Sequence, residues 1–598
     1  MDIATILDEA IDLEEQGRLT EALARFEEVL AVEPQNPIAR AGALGARAAK
    51  ACDDGRLAEA VELCDDALAA SAYDLRALTV RARAYLGLGR NADALADCLK
   101  VLTYAPEFAD ALAARGSAFI AMGETESGVS DLEAAAVLKP DLKFLLGQAL
   151  HYAMHICRWE GFDKKLEALL GAVDLGRSAT RPFWLLSLRS TPEQQKSAAA
   201  VYFTETVKVA AADAPHPPAA KKIRLGYFST DFCAHAISHL VTGMLEAHDR
   251  ARFEVIAFAL GGSALDPVRM QVAGAVDRLI DCADLPDADI ADLARAAGID
   301  IALDLGVYTA RQPSLFARRV APLQVNYLGY AGTAAADCYH YVIGDPILTP
   351  FAHRLHFSEQ IVQLPHCYQP NAFRRYGPLQ SPSRKDLGLP EKGFVFCCFN
   401  DGFKILPNVF DIWMRLLRDV EGSVLWLLQY SPVAARNLKA EAAKRGIDPE
   451  RLVFAPRVPI GQHLARHHAA DLFLDTCPYN AHTTASDALW GGLPIVTCQG
   501  ETFASRVAAS ILTAAGLPEL VTKTLKDYER RALELARDHT QLADIRARLW
   551  RNRETCPLFD TARYTRNIER ALEQMWTRHH SGLPPQEFAV TEAHTDAS

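Results

Sequence analysis

The chain has 598 residues, half of them hydrophobic and 23% charged, a globular composition that excludes a disordered chain and suggests about three or four domain-sized units. A net charge of -12 argues against a nucleic-acid partner, whose phosphates call for clustered Lys and Arg. Thirteen cysteines, odd in number and without a CxxC pair, read as reduced thiols in a cytoplasmic enzyme, not as a disulfide framework or zinc site.

The opening segment, MDIATILDEAIDLEEQGR, is acidic and amphipathic and lacks the pattern of a signal peptide. No run approaches the ~18 apolar residues needed to span a bilayer, so no membrane insertion is expected. Residues 1–140 repeat. Gly17, Gly55, Gly89 and Gly123 each close one amphipathic helix, at spacings of 38, 34 and 34. Small residues follow five positions later (Ala22, Ala60, Ala94, Gly128), and Pro34, Pro106 and Pro140 end the second helices. This is the pattern of about four tetratricopeptide repeats, an all-α solenoid in which each helix pair buries its apolar face only against its neighbours. The second repeat lacks its proline and carries four extra residues before Gly55.

Residues 141–212 read as a helical connector and 213–222, within ADAPHPPAAKK, as a linker. The pattern then changes. IRLGYFS (223–229), FEVIAFAL (253–260), DIALDLG (300–306), LQVNYLG (323–329) and HYVIGD (340–345) read as short buried strands between helical segments. A second series runs through FVFCCFN (394–400), VLWLLQY, RLVFAPR, DLFLDTC and PIVTC. The expectation is an α/β body of two Rossmann-like halves, 223–385 and 386–558, facing a cleft. A C-terminal helix over 559–580 and a disordered tail over 581–598 complete the plan. Ligands of open α/β sheets bind beyond the carboxyl ends of the strands, so chemistry is sought in those loops.

The most informative stretch is 471–510, where a strand ending at Asp475 leads into His482-Thr483-Thr484 and a helix ASDALWGG. Two hydroxyls and free amides at a helix start suit a diphosphate, although capping is the commoner role of such threonines. Asp487, one turn on, can accept from a ribose. Lys404, in the loop NDGFKIL, can neutralise charge on a leaving diphosphate, against the ordinary reading of a solvated lysine. His235 and His239, in STDFCAHAISHL, are candidates for a base or a hydrogen-bond donor. No third ligand accompanies them, so no metal site is expected. Asp287 and Asp289 read as N-caps of IADLARAAG, and His467-His468 as surface residues.

Taken together, the repeats followed by RLGYFSTDFCAHAISHL, APLQVNYLGYAGT, FNDGFKI and LDTCPYNAHTTASDALWGGLPIVTCQGETFASRVAAS resemble the O-linked N-acetylglucosamine transferase and SPINDLY family, glycosyltransferase family 41. The resemblance implies a GT-B fold and an inverting, metal-independent transfer from a nucleotide-sugar to Ser or Thr hydroxyls of a protein, with no further cofactor. It implies that Lys404 contacts the donor phosphates and that His482, Thr483 and Thr484 form the diphosphate turn. It makes Asp487 the ribose acid, sets His463 and Arg466 beside the nucleobase, and makes His235 an active-site histidine.

The chain departs from the family pattern where the donor would lie. Asp401 stands where the N-acetylglucosamine enzymes have glutamine, Ile460 replaces a lysine, and Tyr479 replaces a smaller residue. DLGVYTA (304–310) is also altered. A short repeat array with a divergent donor pocket resembles bacterial flagellin glycosyltransferases, which implies a CMP-activated nonulosonic acid as donor and flagellin as acceptor, docked through the repeats. Two alternatives are carried: a UDP-N-acetylglucosamine-dependent transferase, and a non-catalytic repeat scaffold with a relic transferase body.

Overall fold

The computed structural model describes residues 2–207, 220–262, 265–309, 313–372 and 381–592. The chain divides into two compact units, Met1–Ala153 and Met154–Ser598.

In the first unit, helices pair in sequence: α1 (Ile3–Glu15) with α2 (Leu19–Val32), α3 (Pro37–Asp53) with α4 (Leu57–Ala70), α5 (Leu75–Gly87) with α6 (Asn91–Tyr104), and α7 (Ala109–Ala121) with α8 (Thr125–Leu138). Gly17, Gly55, Gly89 and Gly123 make the turns, with φ of 74, 77, 73 and 89°, a region that costs any other residue a steric penalty. The small residues five positions on are buried at the helix crossings. Between α7 and α8 the backbones touch: a Cβ on Gly128 would lie 2.6 Å from the Gly116 carbonyl oxygen. The four extra residues lie inside α3, which has 17 residues against 13 in α1, α5 and α7, so they add one helical turn. One bidentate ion pair recurs with the repeat, Arg81 on Asp97 and Arg115 on Asp131, at 2.7 and 2.8 Å in each.

The second unit carries two parallel sheets. The first contains β1 (Ile223–Ser229), β2 (Phe253–Ala259), β3 (Arg278–Asp281), β4 (Ile301–Asp304), β5 (Leu323–Asn326), β6 (Tyr341–Gly344) and β7 (Gln360–Gln363). The second contains β8 (Val395–Cys398), β9 (Val424–Leu428), β10 (Leu452–Ala455), β11 (Leu472–Leu474), β12 (Ile495–Cys498) and β13 (Val521–Thr522). Their orders are β3-β2-β1-β4-β5-β6-β7 and β10-β9-β8-β11-β12-β13. Each sheet therefore starts at its centre, winds outward to one edge, then returns to wind outward to the other. That is the doubly wound order, with a switch point between β1 and β4 in one sheet and between β8 and β11 in the other. Strands β3 and β7 gave little signal in the sequence: RLID is polar at both ends and only half-buried, and QIVQ has two apolar residues.

The C-terminal helix Thr561–His580 returns to the first half. The Tyr564 and Tyr327 hydroxyls are hydrogen-bonded at 2.6 Å, and His248 Nδ1 meets Glu569 at 3.0 Å, all buried. Its described continuation, residues 581–592, includes a strand where a disordered tail over 581–598 was expected. Phe588–Ala589 forms β14, pairing parallel to β7, because that edge strand offers unpaired backbone groups: Val590 N donates to Gln363 O at 2.9 Å. Residues 593–598, like 213–219 of the expected linker and Ala310, lie outside the described residues.

From Met154 on, the connector belongs to the second unit and packs on its C-terminal half. Asn437 donates to Ile156 O at 2.8 Å, and the Trp159 and Phe410 rings meet edge to face at 5.2 Å. Among the described residues, no helix is long and apolar enough to cross a membrane.

Candidate functional site

The switch point between β8 and β11 gathers most of the candidate residues. After β8, Asp401 leads into a single turn, Gly402–Lys404, that points Lys404 inward. Its ammonium donates to Asn480 O at 3.3 Å and lies 3.8 Å from the centre of the Tyr479 ring. Burial lowers its pKa to about 8, and the carboxylates of Asp401 and Asp475 limit the fall.

Asp475, at the carboxyl end of β11, organises the facing loop. It accepts from the amides of Ala481 (2.6 Å) and Thr476 (2.8 Å), from the Thr497 hydroxyl (2.6 Å) and from Asn400 Nδ2 (3.2 Å). Burial raises its pKa to about 7 in spite of those bonds. The loop delivers His482 to the start of the helix Thr483–Trp490, with φ -104° and ψ -96° and no side chain capping the helix. Thr483 and Thr484 occupy the first two helical positions, half-buried, so they are not the caps. The uncapped amides and the positive end of the helix dipole face the same loops as Lys404. The rings of Tyr479 and His482 are 5.0 Å apart, and burial together with Lys404 keeps His482 neutral.

One turn on, Asp487 is buried, its pKa raised to about 7 by burial. Its Oδ2 is 3.5 Å from His463 Nε2. Arg466 reaches His463 Nδ1 at 2.6 Å, donates to Pro456 O at 2.7 Å and lies 4.3 Å over the Phe399 ring. Burial, then Arg466, pushes His463 down to about 3, so a neutral imidazole links the guanidinium to the carboxylate. Beneath it, His467 is fully buried, 4.8 Å from the His463 ring and 5.4 Å from Phe399. It is therefore not the surface residue expected from the sequence, because helix Ile460–Arg466 turns that face onto β8 and β9.

The first half contributes two histidines in different roles. His235 is exposed and is the N-cap of helix Ala236–Ala247: its Nδ1 accepts from Ile237 N at 3.3 Å, with Asp231 at 3.6 Å. His239, one turn on, is half-buried; burial lowers its pKa and Asp487 opposes the fall. Asp287 and Asp289 open helix Asp287–Ala296 from inside its first turn, after Pro286, and Asp287 accepts from Ser314, so neither is the cap expected.

Several participants had no signal in the sequence. Gln369, in the loop after β7, donates to Ser486 Oγ at 2.7 Å and so bridges the halves beside Asp487. Among the described residues, Gln369 Oε1, Asn400 Oδ1, Asn480 Oδ1 and Asp487 Oδ1 are buried acceptors without a partner. Such groups are costly, and four around this switch point suit a hydroxyl-rich ligand. Phe183 and His155, from the connector, pack on Phe403 at 6.1 and 4.8 Å and close the far side of the Lys404 turn.

Residues 205–375 and 378–568 match the sequence model of Glycosyl transferase family 41. The chain belongs to this family. A relative from Arabidopsis thaliana, named "Probable UDP-N-acetylglucosamine–peptide N-acetylglucosaminyltransferase SEC", is 35% identical over 379 residues, covering 62% of this chain and 39% of the relative. The Caenorhabditis elegans UDP-N-acetylglucosamine–peptide N-acetylglucosaminyltransferase is 29% identical, covering 61% of this chain and 41% of its own. The chain thus spans about two-fifths of the length of these curated relatives. A solved variant of Thermobaculum terrenum O-GlcNAc transferase superposes with a TM-score of 0.64 at 27% identity, over 92% of this chain and 99% of that one. Helical repeats ahead of a GT-B body are therefore the architecture of this family 41 protein.

Proposed function

We propose that the protein is an O-glycosyltransferase that moves a sugar from a nucleotide-sugar to Ser or Thr hydroxyls of a protein acceptor. The observation that carries this reading is the meeting of Lys404 with the uncapped 482–484 turn at one switch point, linked through Asn480 and Tyr479. In the proposed reaction the acceptor oxygen attacks the anomeric carbon from the face opposite the nucleotide. The bond from that carbon to the phosphate oxygen breaks, with inversion. Lys404 and the amides of Thr483 and Thr484 stabilise the departing phosphate, an electrostatic contribution available without a metal or further cofactor. Asp487 accepts from the ribose, and His463 with Arg466 borders the nucleobase. The acceptor's proton leaves towards the histidine side of the cleft, where His239 and His235 stand.

A nucleoside diphosphate sugar fits this turn, and UDP-N-acetylglucosamine, named in the relatives, is the first donor to test. Asp401 and Tyr479 depart from the family pattern beside this turn, so a second donor is carried, a CMP-activated nonulosonic acid transferred to flagellin docked on the repeats. Intact-mass analysis of acceptors coexpressed with wild type and with Lys404→Ala separates these. A mass increment present only with wild type supports transfer and identifies the sugar. No increment on any acceptor leaves the scaffold reading.

A further inference from the structure

We infer that Tyr479 is a positioning residue whose ring face holds the Lys404 ammonium at the phosphate turn before a donor arrives. The inference rests on the donor-site reading above and adds how that site is kept ready.

A lysine ammonium has three N–H donors on a flexible stem and loses side-chain entropy when fixed. Within the protein, Lys404 Nζ has the Asn480 carbonyl at 3.3 Å and the Tyr479 ring at 3.8 Å, well inside cation–π range. The ring cannot swing away. It is buried, with Phe403 at 6.1 Å, Phe183 at 6.4 Å and His482 at 5.0 Å around it, and the Tyr479 carbonyl accepts from Thr476 Oγ1 at 2.6 Å.

The groups that act on Lys404 come from every neighbouring element: Asp401 on its own turn, Cys398 in β8, Asp475 after β11, and His482 at the start of the following helix. The nearest partners of the ammonium are nevertheless a neutral carbonyl and a neutral ring. A contacting carboxylate would have to be displaced or neutralised before a phosphate could bind. A ring face favours the cation yet leaves its charge and remaining N–H donors to the incoming phosphate.

The test uses the full chain with Tyr479→Phe, which keeps the face, and Tyr479→Leu, which removes it and keeps most of the bulk. UDP and CDP are titrated by calorimetry from pH 6 to 9.5. In parallel, acylation of Lys404 by an amine-reactive anhydride is followed against pH by peptide mass spectrometry. The Phe variant is expected to match wild type in both assays. The Leu variant is expected to bind about 2- to 30-fold more weakly at pH 8, with its alkaline limb at lower pH and Lys404 acylated at lower pH. Should Leu fail to fold, Tyr479→Met, similar in volume and also without a ring, takes its place. A Leu or Met variant indistinguishable from wild type overturns the inference, as does a Phe variant that behaves like Leu. If wild type binds neither nucleotide, the donor-site reading falls, and the acylation profiles still decide whether the ring holds the lysine.

Discussion

Lys404 donates to the Asn480 carbonyl at 3.3 Å, so the turn after β8 and the loop after β11 meet where the strand order reverses. The bond brings a cation to the amide end of a helix from a separate strand, and the proposed chemistry rests on that meeting. Lys404→Ala is expected to reduce transfer at least 100-fold, on the order of 3 kcal/mol of transition-state stabilisation. Thermal unfolding should stay within a few degrees of wild type, because the ammonium makes one long hydrogen bond and one ring contact, and its burial disfavours the charge. Turnover within a few-fold of wild type would remove Lys404 from the mechanism.

Nucleotide affinity should depend on pH through the same lysine. Burial brings Lys404 to about 8, so it is charged below that value and loses its proton above it. Affinity for UDP or CDP should fall as pH rises through about 8. Lys404→Arg, charged throughout, should bind more weakly at neutral pH and lack the alkaline limb.

Asp487 opposes stability to function. Its pKa is raised to about 7, above the ordinary value near 3.9, so between those values the unfolded chain releases a proton that the folded chain keeps. The stability tied to this proton is complete below about pH 4 and is lost as pH rises through about 7. Asp487→Asn should therefore be more stable than wild type at pH 7, on the order of 1–3 kcal/mol, with the difference shrinking towards pH 4. Nucleotide binding should weaken in the same variant. Denaturant unfolding at both pH values checks the sign.

Much of this site was legible because its residues lie close together in sequence: Asp475, His482, Thr483, Thr484 and Asp487 span one strand end, one loop and one helix start. Lys404 was legible from its place after FVFCCFN. Gln369, Asn400, Phe183 and His155 were not, since they reach the site only through tertiary packing and no local pattern marks them. His467 misled for a related reason: two adjacent histidines look solvated until the helix before them is set against β8 and β9. Strand β14 escaped because a two-residue strand exists only by virtue of the edge it joins.

In the repeats, the contact between Gly116 and Gly128 gives a clean stability test. A methyl on Gly128 would lie 2.6 Å from the Gly116 carbonyl oxygen and 2.6 Å from an Ile120 side-chain carbon, so α7 and α8 would have to separate. Gly128→Ala is expected to destabilise the first unit by about 1–3 kcal/mol, despite the better helix propensity of alanine. Circular dichroism during thermal unfolding should show an earlier helical transition, and an unchanged melt would count against the close crossing.

The most direct measurement is a crystal structure of the full chain soaked with UDP. The diphosphate should lie within about 3.5 Å of Lys404 Nζ and of the backbone amides of Thr483 and Thr484, with a ribose hydroxyl on Asp487. A nucleotide bound elsewhere, with Lys404 still held between Asn480 and Tyr479, would contradict the account.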